Sequence, residues 1–107
     1  PLRGSGFGDA DYYAVFEAIV LPLAAQFRPD AVVVSAGYDC AAGDCLGRFN
    51  VTATGFYMLT RLTLSLASGG SSNWSTIFLL EGGYDVTESV TNPHGPLCAG
   101  VASTIEG

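Results

Sequence analysis

Residues 31–39, AVVVSAGYD, decide the fold of this chain. The first six are apolar or small and show no polar alternation, which is typical of a strand buried on both faces of a parallel sheet. Residues 75–80, STIFLL, repeat the pattern, and EGGYD follows directly at 81–85. We therefore predict two buried parallel strands, at 31–36 and 75–80.

A long amphipathic helix is predicted before the first strand. Apolar side chains recur at spacings of three and four across residues 10–27, which places them on one helix face. Asp9 is a suitable N-cap, because its carboxylate can accept hydrogen bonds from the first backbone N–H groups. Pro22 lacks a backbone N–H and is expected to kink this helix.

Two further helices complete an alternating order of elements. Residues 53–67 repeat the helical spacing, with Thr52 as N-cap, and a third helix is predicted at 97–105. The order helix, strand, helix, strand, helix predicts an α/β fold with helices flanking the sheet. Ligands of such sheets bind beyond the carboxyl ends of the strands, so functional residues are expected in the loops 37–50 and 81–87.

The composition excludes several classes of protein. Of the 107 residues 49% are apolar and 13% are charged, against about 25% charged in a typical soluble domain, so we expect apolar faces that the rest of a larger domain covers. A net charge of −6 excludes a binder of nucleic-acid phosphates, which needs clustered Lys and Arg. The apolar runs fall short of the roughly 20 residues of a membrane span. Three cysteines without a C-x-x-C pair indicate a reducing compartment, with the thiols as packing groups.

Two side chains follow the strands closely enough to act at the edge of the sheet. Asp39 could ligate a hard or borderline metal, or it could cap a turn or a following helix. Tyr84 follows Gly82 and Gly83, which permit a sharp turn and a close approach to a ligand. Its phenol could donate a hydrogen bond to a developing oxyanion, or its ring could pack over the end of the sheet. The two glycines could alternatively form a phosphate-binding turn before a helix.

Three other polar residues are expected to be structural. Asp44 could be a ligand, but we interpret it as a buried Asp whose hydrogen bonds hold its loop together. Glu81 is predicted to be a carboxylate that organises its loop. His94 is the one histidine and is expected at the surface, so this chain alone is not expected to form a Ser-His-Asp or Cys-His site.

Four segments lie along nearly the whole chain: GFGDADY at 6–12, SAGYD at 35–39, GDCLG at 43–47 and LLEGGYD at 79–85. In their sequence and their order they resemble the zinc-dependent histone deacetylases of class II type. SAGYD at 35–39 and GDCLG at 43–47 are similar to that family's Ser-Ala-Gly-Phe-Asp and Gly-Asp-Pro-Leu-Gly segments. LLEGGYD at 79–85 resembles its Leu-Glu-Gly-Gly-Tyr-Asn segment, and GFGDADY at 6–12 resembles the Gly-Asp-Ala-Asp-Tyr that opens the preceding helix. The resemblance implies a three-layer α/β/α domain with an arginase/deacetylase-like parallel sheet.

The resemblance also implies roles for individual residues. Asp39 matches a zinc-ligand Asp, and Tyr84 matches the Tyr that hydrogen-bonds the acetyl carbonyl oxygen and stabilises the tetrahedral oxyanion. Leu46 matches a residue at the rim of the acetyl-lysine tunnel, and Gly82 and Gly83 match part of its wall. The implied cofactor is therefore Zn²⁺, with one of its protein ligands in this chain.

The activity implied by the resemblance is hydrolysis of N-acetyl-lysine amides of histones or other proteins to lysine and acetate. That activity belongs to chromatin and transcription regulation, inside the cell, in the nucleus or the cytoplasm. Residues 1–107 would be the C-terminal portion of the catalytic domain. The family's other zinc ligands and its catalytic His pair lie upstream, so the chain alone is expected to be inactive.

Two alternatives remain open beside this interpretation. The first is an acetylpolyamine or small-molecule amidohydrolase on the same scaffold, against which Leu46 counts, because that branch has Glu there. The second is a non-catalytic α/β binding module that uses Gly82 and Gly83 to bind an anion. Tyr84 stands where the weakly active class IIa branch has His, which favours a working oxyanion donor.

Overall fold

Two parallel strands, β1 (Val32–Ala36) and β2 (Thr76–Leu80), form the sheet. The computed structural model describes residues 4–67, 76–87 and 95–107. Val32 pairs with Thr76 and Ala36 with Leu80, so the two strands end side by side. The predicted strands and their parallel pairing are confirmed, with β1 starting one residue later than expected.

One face of this sheet is open among the described residues. Val33 is 62% exposed, and Ile77 and Leu79 on the neighbouring strand are exposed as well. The alternating residues, such as Val34 and Phe78, are half-buried. No described element packs on this second face, so its predicted burial would come from the rest of a larger domain, as expected from the composition.

The helix before β1 is continuous but changes its hydrogen bonding halfway. It consists of α1 (Asp9–Val15), a π-helical segment (Phe16–Val20) and α2 (Leu21–Phe27). The Leu21 N–H donates to the Phe16 carbonyl, five residues back. Pro22 has no N–H to donate and its ring crowds the carbonyl four residues earlier, so a wider turn directly before it accommodates the ring. The irregularity expected at Pro22 is present, but it lies in the turn before the proline.

The start of α1 corrects the predicted N-cap. Gly8 is the N-cap, and its N–H donates to the Asp11 carboxylate at 2.9 Å. The Asp9 carboxylate instead accepts from the backbone N–H and the Oγ1 of Thr52, at 2.8 and 2.7 Å. Thr52 in turn caps the next helix by accepting from the Gly55 N–H at 3.1 Å, as predicted. Asp9 thus joins the starts of two helices that lie far apart in sequence.

The helices α3 (Ala53–Leu64) and α4 (Gly95–Glu106) pack against each other beside the loop that follows β1. The Tyr38 and Phe56 rings lie 5.1 Å apart, and Gly100 of α4 leaves the space that these rings occupy. The Tyr38 hydroxyl donates to Thr104 Oγ1 at 2.9 Å. The buried core consists of Tyr38, Cys40, Ala41, Val51 and Phe56.

The predicted bounds of these two helices need small corrections. The second predicted helix ends at Leu64 rather than at residue 67, and the last begins at Gly95, within the expected break. The predicted surface position of His94 lies outside the described residues. Among the residues described, no helix is long and apolar enough to cross a bilayer.

Candidate functional site

Pairing between the two chain segments continues beyond the ends of the strands. The Glu81 N–H donates to the Ala36 carbonyl at 3.1 Å, and the Tyr38 N–H donates to the Gly82 carbonyl at 2.8 Å. The loops that follow β1 and β2 therefore run side by side, as expected for the carboxyl edge of a parallel sheet. Asp39 and Gly82 are neighbours as a result.

Asp39 lies in a cradle formed by two glycines. A Cβ built on Gly82 would lie 3.1 Å from Cγ and Oδ2 of Asp39, and one built on Gly37 would lie 3.3 Å from its Oδ1. Described residues donate hydrogen bonds to the carboxylates of Asp9 and Asp44, but none donates to that of Asp39. The half-buried Asp39 carboxylate thus keeps its oxygens for another partner, and the alternative that it caps a turn has no support here.

Tyr84 is positioned through its backbone and leaves its side chain free. Gly83, with φ of +124°, turns the chain just before it, and Leu97 and Tyr38 leave no room there for a side chain. The Tyr84 side chain is 61% exposed. Its ring is therefore not packed over the sheet end by any described residue, and its phenol can reach a ligand beside the sheet.

Asp44 joins the two loops. It is 6% exposed, and its Oδ1 accepts from the N–H groups of Leu46 and Gly47, while its Oδ2 accepts from those of Tyr84 and Asp85. Burial alone would raise the pKa of Asp44, but the four backbone donors outweigh burial and lower it below the usual value. The predicted role of Asp44 in holding its loop together is confirmed, and it extends to the second loop.

Two other loop residues differ in their exposure from Asp44. Leu46 is 63% exposed, with only its backbone fixed by Asp44. The Glu81 side chain is exposed, and its carboxylate accepts no hydrogen bond from the described residues. Among the described residues, the Glu81 backbone and the Asp44 carboxylate, rather than the Glu81 carboxylate, make the contacts that organise the loop.

A phenol and a thiol behind Asp39 were not foreseen from the sequence. Burial raises the pKa of Tyr12, and the neighbouring Cys40 thiol raises it further. Burial likewise raises the pKa of the Cys40 thiol, whose Sγ lies 3.4 Å from the Gly37 carbonyl oxygen. The helical spacing placed Tyr12 on the face of the first helix that was predicted to be buried. Nothing local in the sequence indicates that Cys40 is its neighbour.

The three cysteines are free thiols in different surroundings. Cys40 is buried in the core, as predicted for a packing group. Cys45 and Cys98 are exposed, so that prediction is wrong for these two. Cys45 lies in a short turn in which the Asp44 carboxylate accepts from the N–H groups of Leu46 and Gly47, and no described residue covers its side chain.

The described residues supply one candidate metal ligand rather than a complete site. They contain no group of three or more His, Cys, Asp or Glu side chains that could hold a metal ion. A catalytic zinc site uses three protein ligands. The oxygens of Asp39, which accept no hydrogen bond from the described residues, suit one of these positions.

The four motifs, the parallel sheet and the paired loops agree with one family. A family model of the histone deacetylase domain matches residues 1–94. The chain belongs to the histone deacetylase family, of class II type.

Its relatives come from animals, fungi and plants. It is 40% identical over 98 residues to histone deacetylase 6 of Caenorhabditis elegans, covering 92% of this chain and 10% of that protein. It is 38% identical over 92 residues to histone deacetylase clr3 of Schizosaccharomyces pombe, covering 86% of this chain and 13% of the relative. The chain thus spans a small part of the length of these curated relatives.

A solved structure gives the same fold. The crystal structure of the HDA15 HD domain superposes with a TM-score of 0.78 at 35% identity, covering 98% of this chain and 26% of that one. The expected α/β fold of the arginase/deacetylase type is confirmed.

Proposed function

We propose that this chain contributes one zinc ligand and the oxyanion donor to a zinc-dependent lysine deacetylase. The reaction is hydrolysis of N-acetyl-lysine amides of histones or other proteins to lysine and acetate. The observation that carries the proposal is the side-by-side course of the two loops, which places the uncommitted Asp39 carboxylate against Gly82, two residues before Tyr84. Proteins named histone deacetylases among the relatives support the same chemistry.

Asp39 fits the role of the zinc ligand. Its carboxylate is half-buried, accepts no hydrogen bond from the described residues and lies against Gly37 and Gly82, which leave room for it. Carboxylate oxygen is an accepted zinc ligand. When bound, zinc would polarise the acetyl carbonyl and lower the pKa of a bound water.

Tyr84 fits the role of the oxyanion donor. Its backbone is fixed by the Asp44 carboxylate, while its phenol extends from the sheet edge without a described partner. A hydroxyl aimed at the acetyl oxygen stabilises the negative charge that develops there as water adds to the amide carbon.

The rim and the wall of the tunnel come from the same loops. Leu46 offers an exposed apolar side chain beside the site, suited to the methylene groups of a lysine side chain. Gly82 and Gly83 present backbone without side chains, which suits a narrow wall. An apolar rim also disfavours the acetylpolyamine alternative, in which a cationic amine requires an acidic partner.

The anion-binding alternative finds less support. The Asp39 carboxylate lies over Gly82, so its negative charge would repel a phosphate there. Residues 81–87 are irregular, so no helix begins within this described stretch to face an anion.

The rest of the catalytic unit is also part of the proposal. We propose that residues 1–107 are the C-terminal portion of the catalytic domain, with the remaining zinc ligands and a His pair upstream. The chain alone would then be inactive, and the full-length enzyme would act inside the cell, in the nucleus or the cytoplasm. Its partners would be acetylated histone tails or other acetyl-lysine proteins.

The test is substitution of the two site residues in the full-length enzyme. Tyr84→Phe should lower kcat by about 10²-fold or more, the scale for loss of one oxyanion donor, while zinc content stays unchanged. Asp39→Ala should lower the zinc content measured by elemental analysis. A near-normal kcat in the first variant, or full zinc occupancy in the second, would overturn the respective role.

A further inference from the structure

Asp44 is the one described side chain that hydrogen-bonds to both functional loops. Its Oδ1 accepts from Leu46 N at 2.8 Å and from Gly47 N at 3.1 Å. Its Oδ2 accepts from Tyr84 N at 3.2 Å and from Asp85 N at 3.3 Å. Each carboxylate oxygen therefore accepts hydrogen bonds from one of the two loops.

The surroundings of Asp44 require a carboxylate. All four partners are N–H donors, so a group that only accepts hydrogen bonds satisfies every one of them. Asparagine has the same shape but would direct its NH₂ group at one of the two pairs. If its oxygen stays on the adjacent pair, Leu46 and Gly47, the NH₂ group faces Tyr84 and Asp85.

The segment around Tyr84 has other anchors, but they hold its neighbours. The Gly82 carbonyl accepts from Tyr38 N–H, and the Asp85 carbonyl accepts from Leu97 N–H at 3.2 Å. Among the described residues, the Tyr84 N–H bonds only to Asp44. Loss of this bond would leave the loop in place and loosen the residue that carries the phenol.

We propose that Asp44 is a positioning residue, which holds the Tyr84 backbone at a fixed place relative to the rim residue Leu46. The proposal rests on the function proposed above and deepens it. Because the Tyr84 side chain is exposed, the place of its phenol depends on its backbone, and Asp44 links that place to the rim that receives the lysine side chain. Asp44 would then tune catalysis without touching the substrate.

The kinetic test is a double-mutant cycle in the full-length enzyme. Asp44→Asn should lower kcat by about 10- to 100-fold, the scale for misplacing a catalytic group, with a much smaller change in KM and unchanged zinc content. In the Tyr84→Phe background the same substitution should cost less than about 3-fold, because the phenol it positions is already gone. An equal loss in both backgrounds would overturn the proposal.

Asp9→Asn is the matched control. Asp9 also accepts two hydrogen bonds, both from Thr52, but it lies at the start of α1, outside the site. The loss of kcat in Asp44→Asn could reflect only a less stable fold. In that case Asp9→Asn should lose as much kcat, provided that its melting temperature falls by a similar amount. Unchanged kcat in Asp9→Asn supports the positioning role, and an equal loss refutes it.

Amide hydrogen exchange separates this proposal from the proposed function. In Asp44→Asn the amides of Tyr84 and Asp85 should exchange faster, while those of Leu46 and Gly47 should change little. Unchanged exchange at Tyr84 would overturn the proposal whatever the kinetics. A different result is faster exchange at Tyr84 in Asp44→Asn together with an unchanged kcat in Tyr84→Phe. That result would support the contact between Asp44 and Tyr84 and would refute only the oxyanion role of Tyr84.

Discussion

Gly82→Ala should weaken zinc binding by the full-length enzyme while leaving its fold intact. The added Cβ would lie 3.1 Å from Cγ and Oδ2 of Asp39, whereas ordinary contact begins at 3.4 Å. The carboxylate would have to move by about 0.3 Å, which exceeds the roughly 0.2 Å within which metal–ligand distances are normally held. We expect zinc affinity to fall about 10- to 100-fold, the scale for disturbing the surroundings of a metal ligand.

The assay is zinc affinity by competition with a chelator, compared with the melting temperature of the same samples. Gly8→Ala is the control, because its Cβ would meet the Asn50 carbonyl oxygen at a similar 3.2 Å but lies at the start of α1. Overpacking of this kind costs about 1–3 kcal/mol of stability, so both variants should melt at lower temperature. Wild-type zinc affinity in Gly82→Ala would refute the placement of Asp39 as a ligand in contact with Gly82.

Two further predictions concern titration and thiol reactivity. The folded-state pKa of Asp44 lies below the unfolded value of about 3.9, so its contribution to stability is full above about pH 4 and is lost as the pH falls through the folded pKa. Acid unfolding of the full-length enzyme should therefore be less steep in Asp44→Asn as the pH falls below about 4, and an unchanged pH profile would contradict this. Iodoacetamide should label the exposed Cys45 and Cys98 well before the buried Cys40, because burial shields the Cys40 thiol and raises its pKa. Mass spectrometry after labelling of the native protein gives the order of reaction. Early labelling of Cys40 would contradict the structure.

Local patterns in the sequence predicted the elements that local physics determines. The apolar run of β1 and the helical spacing after Thr52 depend on neighbouring residues only, and both elements lie within a few residues of their predicted bounds. Gly82 and Gly83 likewise indicated a close approach of backbone to another group. The position of Asp39 after the first strand was enough to place it at the sheet edge.

The errors concern contacts between distant parts of the chain. Asp9 looked like an N-cap, but Thr52, 43 positions away, takes up its carboxylate, and Gly8 caps the helix instead. The partners of Asp44 in the second loop lie 40 and 41 positions away, so its own loop was foreseeable and the link to Tyr84 was not. The pairing of Tyr12 with Cys40 escaped prediction for the same reason.

Hydrogen bonds continue the pairing of the strands past Ala36 and Leu80, so the register of the sheet extends into the two loops that carry the site. Asp39 and Tyr84 are each a fixed number of residues beyond one strand, so strand register sets their spacing. One residue inserted into β2 would advance the chain by about 3.3 Å and turn the following side chains to the opposite face. An insertion within β2 or within the four residues after it should therefore abolish the activity of the full-length enzyme, and related enzymes should lack such insertions. The connection before β2 can vary in length among them, because its length does not change this register.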